Sequence, residues 1–151
     1  MRITKENIDT FIDGTKMDCN NMDITHIDFI PKGITRLYCN SNKLTELPKL
    51  PESLTRLDCE NNKLTELPKL PDGLMYLYCG DNQLTSLPKL PESLIHLNCW
   101  DNQLTELPIL PDSLKYLNFE SNNLPYKITL ENLKEHNTLI KRKLILSKIC
   151  V

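Results

Sequence analysis

Five cysteines recur at intervals of twenty residues, and a sixth, Cys150, lies near the C-terminal end of the chain; the five are Cys19, Cys39, Cys59, Cys79 and Cys99. Regularly spaced thiols suggest a metal site, disulfides or a nucleophile. His96 precedes Cys99 by three residues, which makes a Cys–His pair for nucleophilic catalysis a further candidate. All of these possibilities depend on the direction of the side chains, and that direction is set by the segments that carry them.

The segments that carry the cysteines are copies of one another. Blocks of twenty residues begin with proline at 31, 51, 71, 91 and 111, and a weaker copy fills 11–30. The pattern is Leu-x-x-Leu-x-Cys-x-x-Asn-x-Leu-x-x-Leu-Pro-x-Leu-Pro, as in 54–71. A single block cannot bury its apolar side, whereas stacked blocks place each leucine on its counterpart and form a continuous core. The sequence therefore predicts a solenoid over 11–130.

Each block predicts one short strand, because Leu57 and Cys59 are two residues apart and so point to the same side. Stacked strands form a parallel, in-register concave sheet. On the side of each block opposite the strand, the prolines prevent a helix and lack the N–H donors of a sheet. We therefore expect an extended, polyproline-like convex side. An asparagine follows each strand and is expected to bond the backbone of its own and the next turn; these are Asn42, Asn62, Asn82, Asn102 and Asn122.

This geometry limits the chemistry of the cysteines. Neighbouring thiols would lie about 4.8 Å apart in a line, whereas zinc requires ligands that converge on one point. A disulfide would need closer Cβ atoms than parallel strands provide. We expect reduced, buried thiols that act as packing groups, with metal binding or oxidation as the alternatives. Cys150 lies outside the column and is expected to be exposed.

The same geometry argues against catalysis. His96 points out of the sheet and Cys99 points in, so they cannot share a proton. The sequence shows no other convergent set of catalytic residues and no phosphate-binding glycine loop. We therefore predict a protein that is not an enzyme and that uses no cofactor or metal.

The ends of a solenoid must differ from its middle, because terminal turns would otherwise expose the core. Residues 1–10 are expected to form an N-terminal cap and 131–151 a C-terminal capping helix and tail. Helical spacing predicts the helix over 129–147, with Thr129 as N-cap. An apolar stripe is expected to close the end of the solenoid, with Phe119 covering the sulfur column; the stripe is Leu130, Leu133, Ile140 and Leu144.

Outward side chains of the predicted strands form two columns, followed by the only tryptophan one residue beyond a cysteine. Tyrosine, tryptophan and arginine dominate binding hot spots, so their clustering on one curved sheet predicts a protein-binding face. The alternative is that the rings only shield the sheet from water. The predicted binding residues are Arg36, Tyr38, Arg56, Asp58, Tyr76, Tyr78, His96, Asn98, Trp100 and Tyr116.

Composition narrows the partner classes further. The net charge is −2 and 25% of residues are charged, which does not favour nucleic acid or a membrane surface as partner. No signal peptide, membrane-spanning run or Asn-x-Ser/Thr sequon is present. Together with the repeat spacing of the cysteines, this predicts an intracellular protein that is a monomer or a weak homo-oligomer.

The block seen in 67–88 and 87–108 resembles the short leucine-rich repeats of type III secreted effectors of pathogenic bacteria, and also the leucine-rich repeat proteins of giant DNA viruses of amoebae. The resemblance covers 11–147 and implies a leucine-rich repeat solenoid of the α/β horseshoe class. Some of those effectors carry a ubiquitin-ligase domain after the repeats, for which the residues after 130 are too few. The expected function is therefore binding of a host or viral protein through the concave sheet. The alternative is a structural, virion-packaged component that self-associates.

Overall fold

The computed structural model of the chain describes residues 1–125 and 131–149. Within them, seven strands form one sheet and two further strands pair with each other. A short 3-10 helix (Ile8–Phe11) covers the first turn. The strands are β1 (Arg2–Ile3), β2 (Ile12–Asp13), β3 (Lys16–Asp18), β4 (His26–Ile27), β5 (Arg36–Tyr38), β6 (Arg56–Asp58), β7 (Tyr76–Tyr78), β8 (His96–Asn98) and β9 (Tyr116–Asn118).

In the seven-stranded sheet, β3 and β5 to β9 pair in parallel in this order, with a shift of twenty residues from each strand to the next, so Leu57 lies beside Leu77 and Leu77 beside Leu97. Leucine therefore meets leucine across the core, where all three of these side chains are fully buried. This confirms the predicted solenoid and its concave sheet. At the N-terminal edge, β2 pairs antiparallel with β3 and covers the first strand of the ladder.

The convex side of the repeats is extended chain without helix or strand across 43–53, 63–73 and 83–93. Its leucines are buried as well, since Leu67 and Leu87 are only 7% and 9% exposed. The proline that follows each of them removes an N–H donor and holds the chain extended. The side chain of Lys69 in the same segment is exposed to solvent.

The asparagine column links neighbouring turns, as predicted. Asn62 accepts a hydrogen bond from the Leu44 N–H at 3.0 Å. Its amide donates to the carbonyls of Cys39, Cys59 and Glu60 at 3.0 to 3.2 Å. Each such amide satisfies backbone groups that the three-residue strands cannot reach.

The cysteine column is buried, and its five members are free thiols with no exposed surface. Burial raises the pKa of Cys19 and Cys99 to about 12. These thiols are therefore neutral at pH 7. The Cys59 thiol donates weakly to the Tyr78 carbonyl, with a sulfur–oxygen distance of 3.4 Å. Cys150 lies outside the described residues.

We expect the five column thiols to be unreactive in the folded protein, because they are both inaccessible and protonated. Titration with a thiol reagent should label at most Cys150 in the native protein and all six cysteines after denaturation. More than one thiol labelled in the native state, or bound zinc in elemental analysis, would contradict this assignment.

A C-terminal helix, α1 (Leu133–Ile149), caps the solenoid as predicted, but it contacts the convex side through fewer apolar residues than expected. Leu133, His136 and Asn137 are buried, whereas Leu144 is 50% exposed, so the prediction that Leu144 helps to close the end was wrong. Thr129 and Leu130 lie outside the described residues. No helix within 1–125 and 131–149 has the length and apolarity of a membrane span.

Polar side chains anchor the first turns of α1. Asn137 accepts a hydrogen bond from the Leu110 N–H at 2.8 Å and donates to the Leu110 carbonyl at 2.7 Å. The His136 Nε2 atom lies 3.0 Å from the Pro108 carbonyl oxygen. Asn137 thus satisfies both backbone groups of one convex residue, in the way that the paired backbone of a further strand would.

Candidate functional site on the concave sheet

The concave sheet brings most of the predicted binding residues into contact with one another. Tyr38, Arg56, Tyr76 and Tyr78 are half-buried, whereas Arg36 is exposed. The remaining five also lie on this face, with Trp100 36% and Tyr116 45% exposed. The face is therefore an interlocked layer of side chains and not a set of independent ones.

The centre of this layer is a zigzag of rings and cations, which we call the concave stack. Each of the strands β3 and β5 to β9 contributes one member. The members are Lys16, Tyr38, Arg56, Tyr78, His96 and Tyr116. The Lys16 ammonium and the Arg56 guanidinium lie 5.3 and 5.4 Å from the centre of the Tyr38 ring. The stack therefore ties six neighbouring strands together across the sheet by ring contacts and cation–π contacts.

Arg56 and His96 lie inside the stack, each between two tyrosine rings. The guanidinium of Arg56 is 4.5 Å from the centre of the Tyr78 ring. The His96 ring is 4.6 Å from that of Tyr78 and stacks on Tyr116 at 4.1 Å. Burial, and secondarily the charge of Arg56, lower the pKa of His96, so His96 is a neutral ring at pH 7.

Next to the stack lies a second group of interacting residues, Asp58, Glu60, Asn98 and Trp100, which we call the acidic corner. The Asn98 amide donates to the Glu60 carboxylate at 2.7 Å. The nearby Trp100 indole acts in the same direction as this bond and lowers the pKa of Glu60. The Trp100 ring lies over Gly80, where an added Cβ would come within 2.2 Å of it. A residue larger than glycine at this position would therefore displace the ring.

Desolvation dominates the electrostatics of the acidic corner. Burial raises the pKa of Asp58 and of Glu60, and for Glu60 the neighbouring charge of Asp58 adds to this effect. Neither carboxylate forms an ion pair within 4.0 Å among the described residues. The corner therefore carries negative charge that the described chain does not neutralise by direct contact.

The residues predicted from the sequence omit Lys16 of the concave stack and two residues close to Trp100, which are Glu60 and Gly80. Both occupy the position after the column cysteine, as Trp100 does, so a third outward column was visible in the repeat. Along that column, glutamate is followed by glycine and then by tryptophan in three successive repeats. This order indicates that the tryptophan ring lies over the glycine and approaches the glutamate of the repeat before it.

Metal and catalytic chemistry receive no geometric support from this surface. No group of three or more His, Cys, Asp or Glu residues suited to a metal ion occurs in the described part of the chain. His96 lies on the concave face, whereas Cys99 is fully buried in the core, so the structure separates the proposed pair.

Known proteins share the repeat pattern and the solenoid fold of this chain. The Leucine Rich Repeat family model matches residues 53–75. The structure of YopM from Yersinia enterocolitica WA-314 is 40% identical in sequence, with a TM-score of 0.67, over 72% of this chain and 25% of that one. A Shigella effector LRR domain is 35% identical, with a TM-score of 0.75, over 84% of this chain and 57% of that one.

YopM from Yersinia pestis, described as a leucine-rich effector protein, is 31% identical with a TM-score of 0.64, over 79% of this chain and 40% of that one. The chain thus spans between a quarter and somewhat more than half of these three structures. No curated protein matches the chain, and the resemblance to viral proteins stays a prediction. Because the family model and three effector structures agree with the repeat geometry, the chain is a leucine-rich repeat protein whose repeats resemble those of bacterial type III effectors.

Proposed function

We propose that the chain is a non-enzymatic interaction module that binds a host or viral protein inside a cell through its concave sheet. The observation that carries the proposal is the layer formed by the concave stack and the acidic corner. It presents aromatic, cationic and acidic groups on one curved, preorganised face, and such groups dominate protein interfaces. Because their neighbours already hold these side chains in place, binding costs less conformational entropy.

The proposal is tested by removing two rings from the face without altering the leucine core. A Tyr78→Ala/Trp100→Ala variant is expected to weaken binding of a captured partner protein by about 2 kcal/mol or more, roughly thirtyfold, because accessible aromatic rings on a preorganised face act as hot spots. The loss of the Arg56–Tyr78 contact should cost about 1 kcal/mol of folding free energy. The dissociation constant should therefore be measured well below the melting temperature of the variant.

The matched control is a Lys69→Ala/Lys89→Ala variant, which changes two exposed residues of the convex side. We expect it to alter mainly the salt dependence of binding. If the lysine variant loses the partner while the ring variant binds normally, recognition takes place on the proline side and the proposal is wrong.

Self-association is the second candidate, and the last strand favours it. No described strand pairs with the outer edge of β9, and Leu117 in β9 is only half-buried whereas Leu97 beside it is fully buried. An unpaired edge is a template for another chain. Sedimentation of the purified protein over a range of concentrations distinguishes the two candidates, since an interaction module of this design stays monomeric without its partner.

A further inference from the structure

The cationic groups of the concave sheet are mostly engaged within the chain. The Lys16 ammonium lies 2.7 Å from the Asp18 carboxylate. The guanidinium of Arg56 lies within 5.6 Å of the centres of three tyrosine rings. Arg36 is exposed and forms no ion pair with a described residue. Lys16 and Arg56 therefore contact other groups of the chain, whereas Arg36 is open to a partner.

The carboxylates of the acidic corner are in the opposite situation. Asp58 and Glu60 are both half-buried. They are two residues apart in the sequence, so their side chains point to the same face of the sheet. Their partial removal from water disfavours the charged form of both carboxylates. At Glu60 the negative charge of Asp58 adds to this cost, whereas at Asp58 the positive charge of Arg56 partly offsets it. A partner that brings a cation to this place would regain that free energy.

The corner is also built to hold its groups in fixed positions. Glu60 accepts a hydrogen bond from the Asn98 amide and lies near the Trp100 indole, and both of these residues belong to a turn forty residues further along the chain. Gly80, in the turn between them, gives the Trp100 ring room to lie flat. An indole and a carboxylate therefore lie side by side, with 36% of Trp100 still accessible to a partner.

Hydrogen-bond acceptors exceed donors in this corner. The Asn98 Oδ1 atom is buried and accepts no hydrogen bond from a described residue. Asp58 receives only two long bonds, from the Asn40 amide at 3.4 Å and the Glu60 N–H at 3.5 Å. The chemistry that complements two carboxylates beside an indole is a planar cation with several donors. A guanidinium both donates in pairs to carboxylates and stacks on aromatic rings.

We propose that the acidic corner is the specificity site of the concave sheet and that it receives an arginine side chain of the partner protein. The inference rests on the proposed function, and it adds the chemistry by which the partner is recognised. The arginine guanidinium lies against the Trp100 ring and donates hydrogen bonds to Glu60, with Asp58 supplying the second negative charge. Glu60, absent from the residues predicted from the sequence, becomes a main determinant of specificity.

The test uses two synthetic peptides, acetyl-Gly-Gly-Arg-Gly-Gly-amide and the same peptide with citrulline, which keeps the shape of arginine but has no charge. Trp100 is the only tryptophan, so its fluorescence reports on the corner directly. We expect a saturable change with an affinity for the arginine peptide about tenfold higher than for the citrulline peptide. Glu60→Gln should reduce the arginine affinity to the citrulline level.

The control is Glu66→Gln, which makes the same charge change at an exposed residue of the same turn and should bind like the unmodified protein. Asp58→Asn is a second variant in case Glu60→Gln fails to fold. Equal affinity for both peptides, or equal losses in Glu60→Gln and Glu66→Gln, would overturn the inference. If the peptides fail but Tyr78→Ala/Trp100→Ala still loses the partner protein, only this inference falls. Selective arginine binding with unaltered partner binding in that variant would instead overturn the proposed function.

Discussion

Asn82→Ala is expected to lower the free energy of unfolding by about 3 kcal/mol or more, because one side chain bonds four backbone groups of two neighbouring repeats. Its Oδ1 atom accepts from the Leu64 N–H at 2.9 Å. Its amide donates to the carbonyls of Cys59, Cys79 and Gly80 at 3.0 to 3.3 Å. Asn82 is 9% exposed, so water cannot replace these bonds without opening the turn.

Urea denaturation followed by circular dichroism measures this effect. The adjacent Gln83→Ala is the control, because the Gln83 side chain is exposed and its replacement should change the unfolding free energy by less than about 0.5 kcal/mol. Asn82→Asp keeps the shape of the side chain but removes the donor, and it should destabilise at least as much as alanine. Similar midpoints for the Asn82 and Gln83 variants would show that the asparagine column contributes little to stability.

Asn137→Ala is expected to destabilise the protein by about 2 kcal/mol, because both backbone groups of Leu110 would lose their partner. Deleting 131–151 should cost more, since it also uncovers apolar surface at about 25 cal/mol per Å². The helix covers Leu107, which is only 1% exposed, whereas Leu67 and Leu87 at the equivalent positions of earlier repeats are 7% and 9% exposed. Thermal unfolding of both variants measures the loss.

Leu146→Ala provides the comparison on the same helix, because Leu146 is 60% exposed and its truncation should shift the melting temperature little. An unchanged melting temperature after deletion of 131–151 would mean that α1 is not needed as a cap. Loss of stability in Leu146→Ala but not in Asn137→Ala would mean that the helix docks by its apolar side after all.

One residue of the repeat pattern indicates where α1 docks, although the periodicity of the leucines does not. Lysine occupies the position between the two leucines of the convex segment at Lys49, Lys69 and Lys89, and isoleucine replaces it at Ile109. Ile109 lines a groove of about 550 Å³ together with Ile140 and Leu144 of the helix. The exchange of one exposed cation for an apolar side chain thus marked the turn that the helix covers.

The sequence by itself determined the solenoid, the parallel register, the inward cysteines and the asparagine column. These features repeat every twenty residues, so one local sequence pattern is enough to predict them in every turn. The free energy that favours them in one turn is also added up over successive turns. The tertiary structure alone decided which outward side chains meet. Trp100 lies over Gly80 and near Glu60, and Asn137 joins the buried Leu133 as an anchor of α1. Each of these contacts occurs once and depends on side-chain direction and hydrogen-bond geometry in three dimensions, and periodicity carries no information about such contacts.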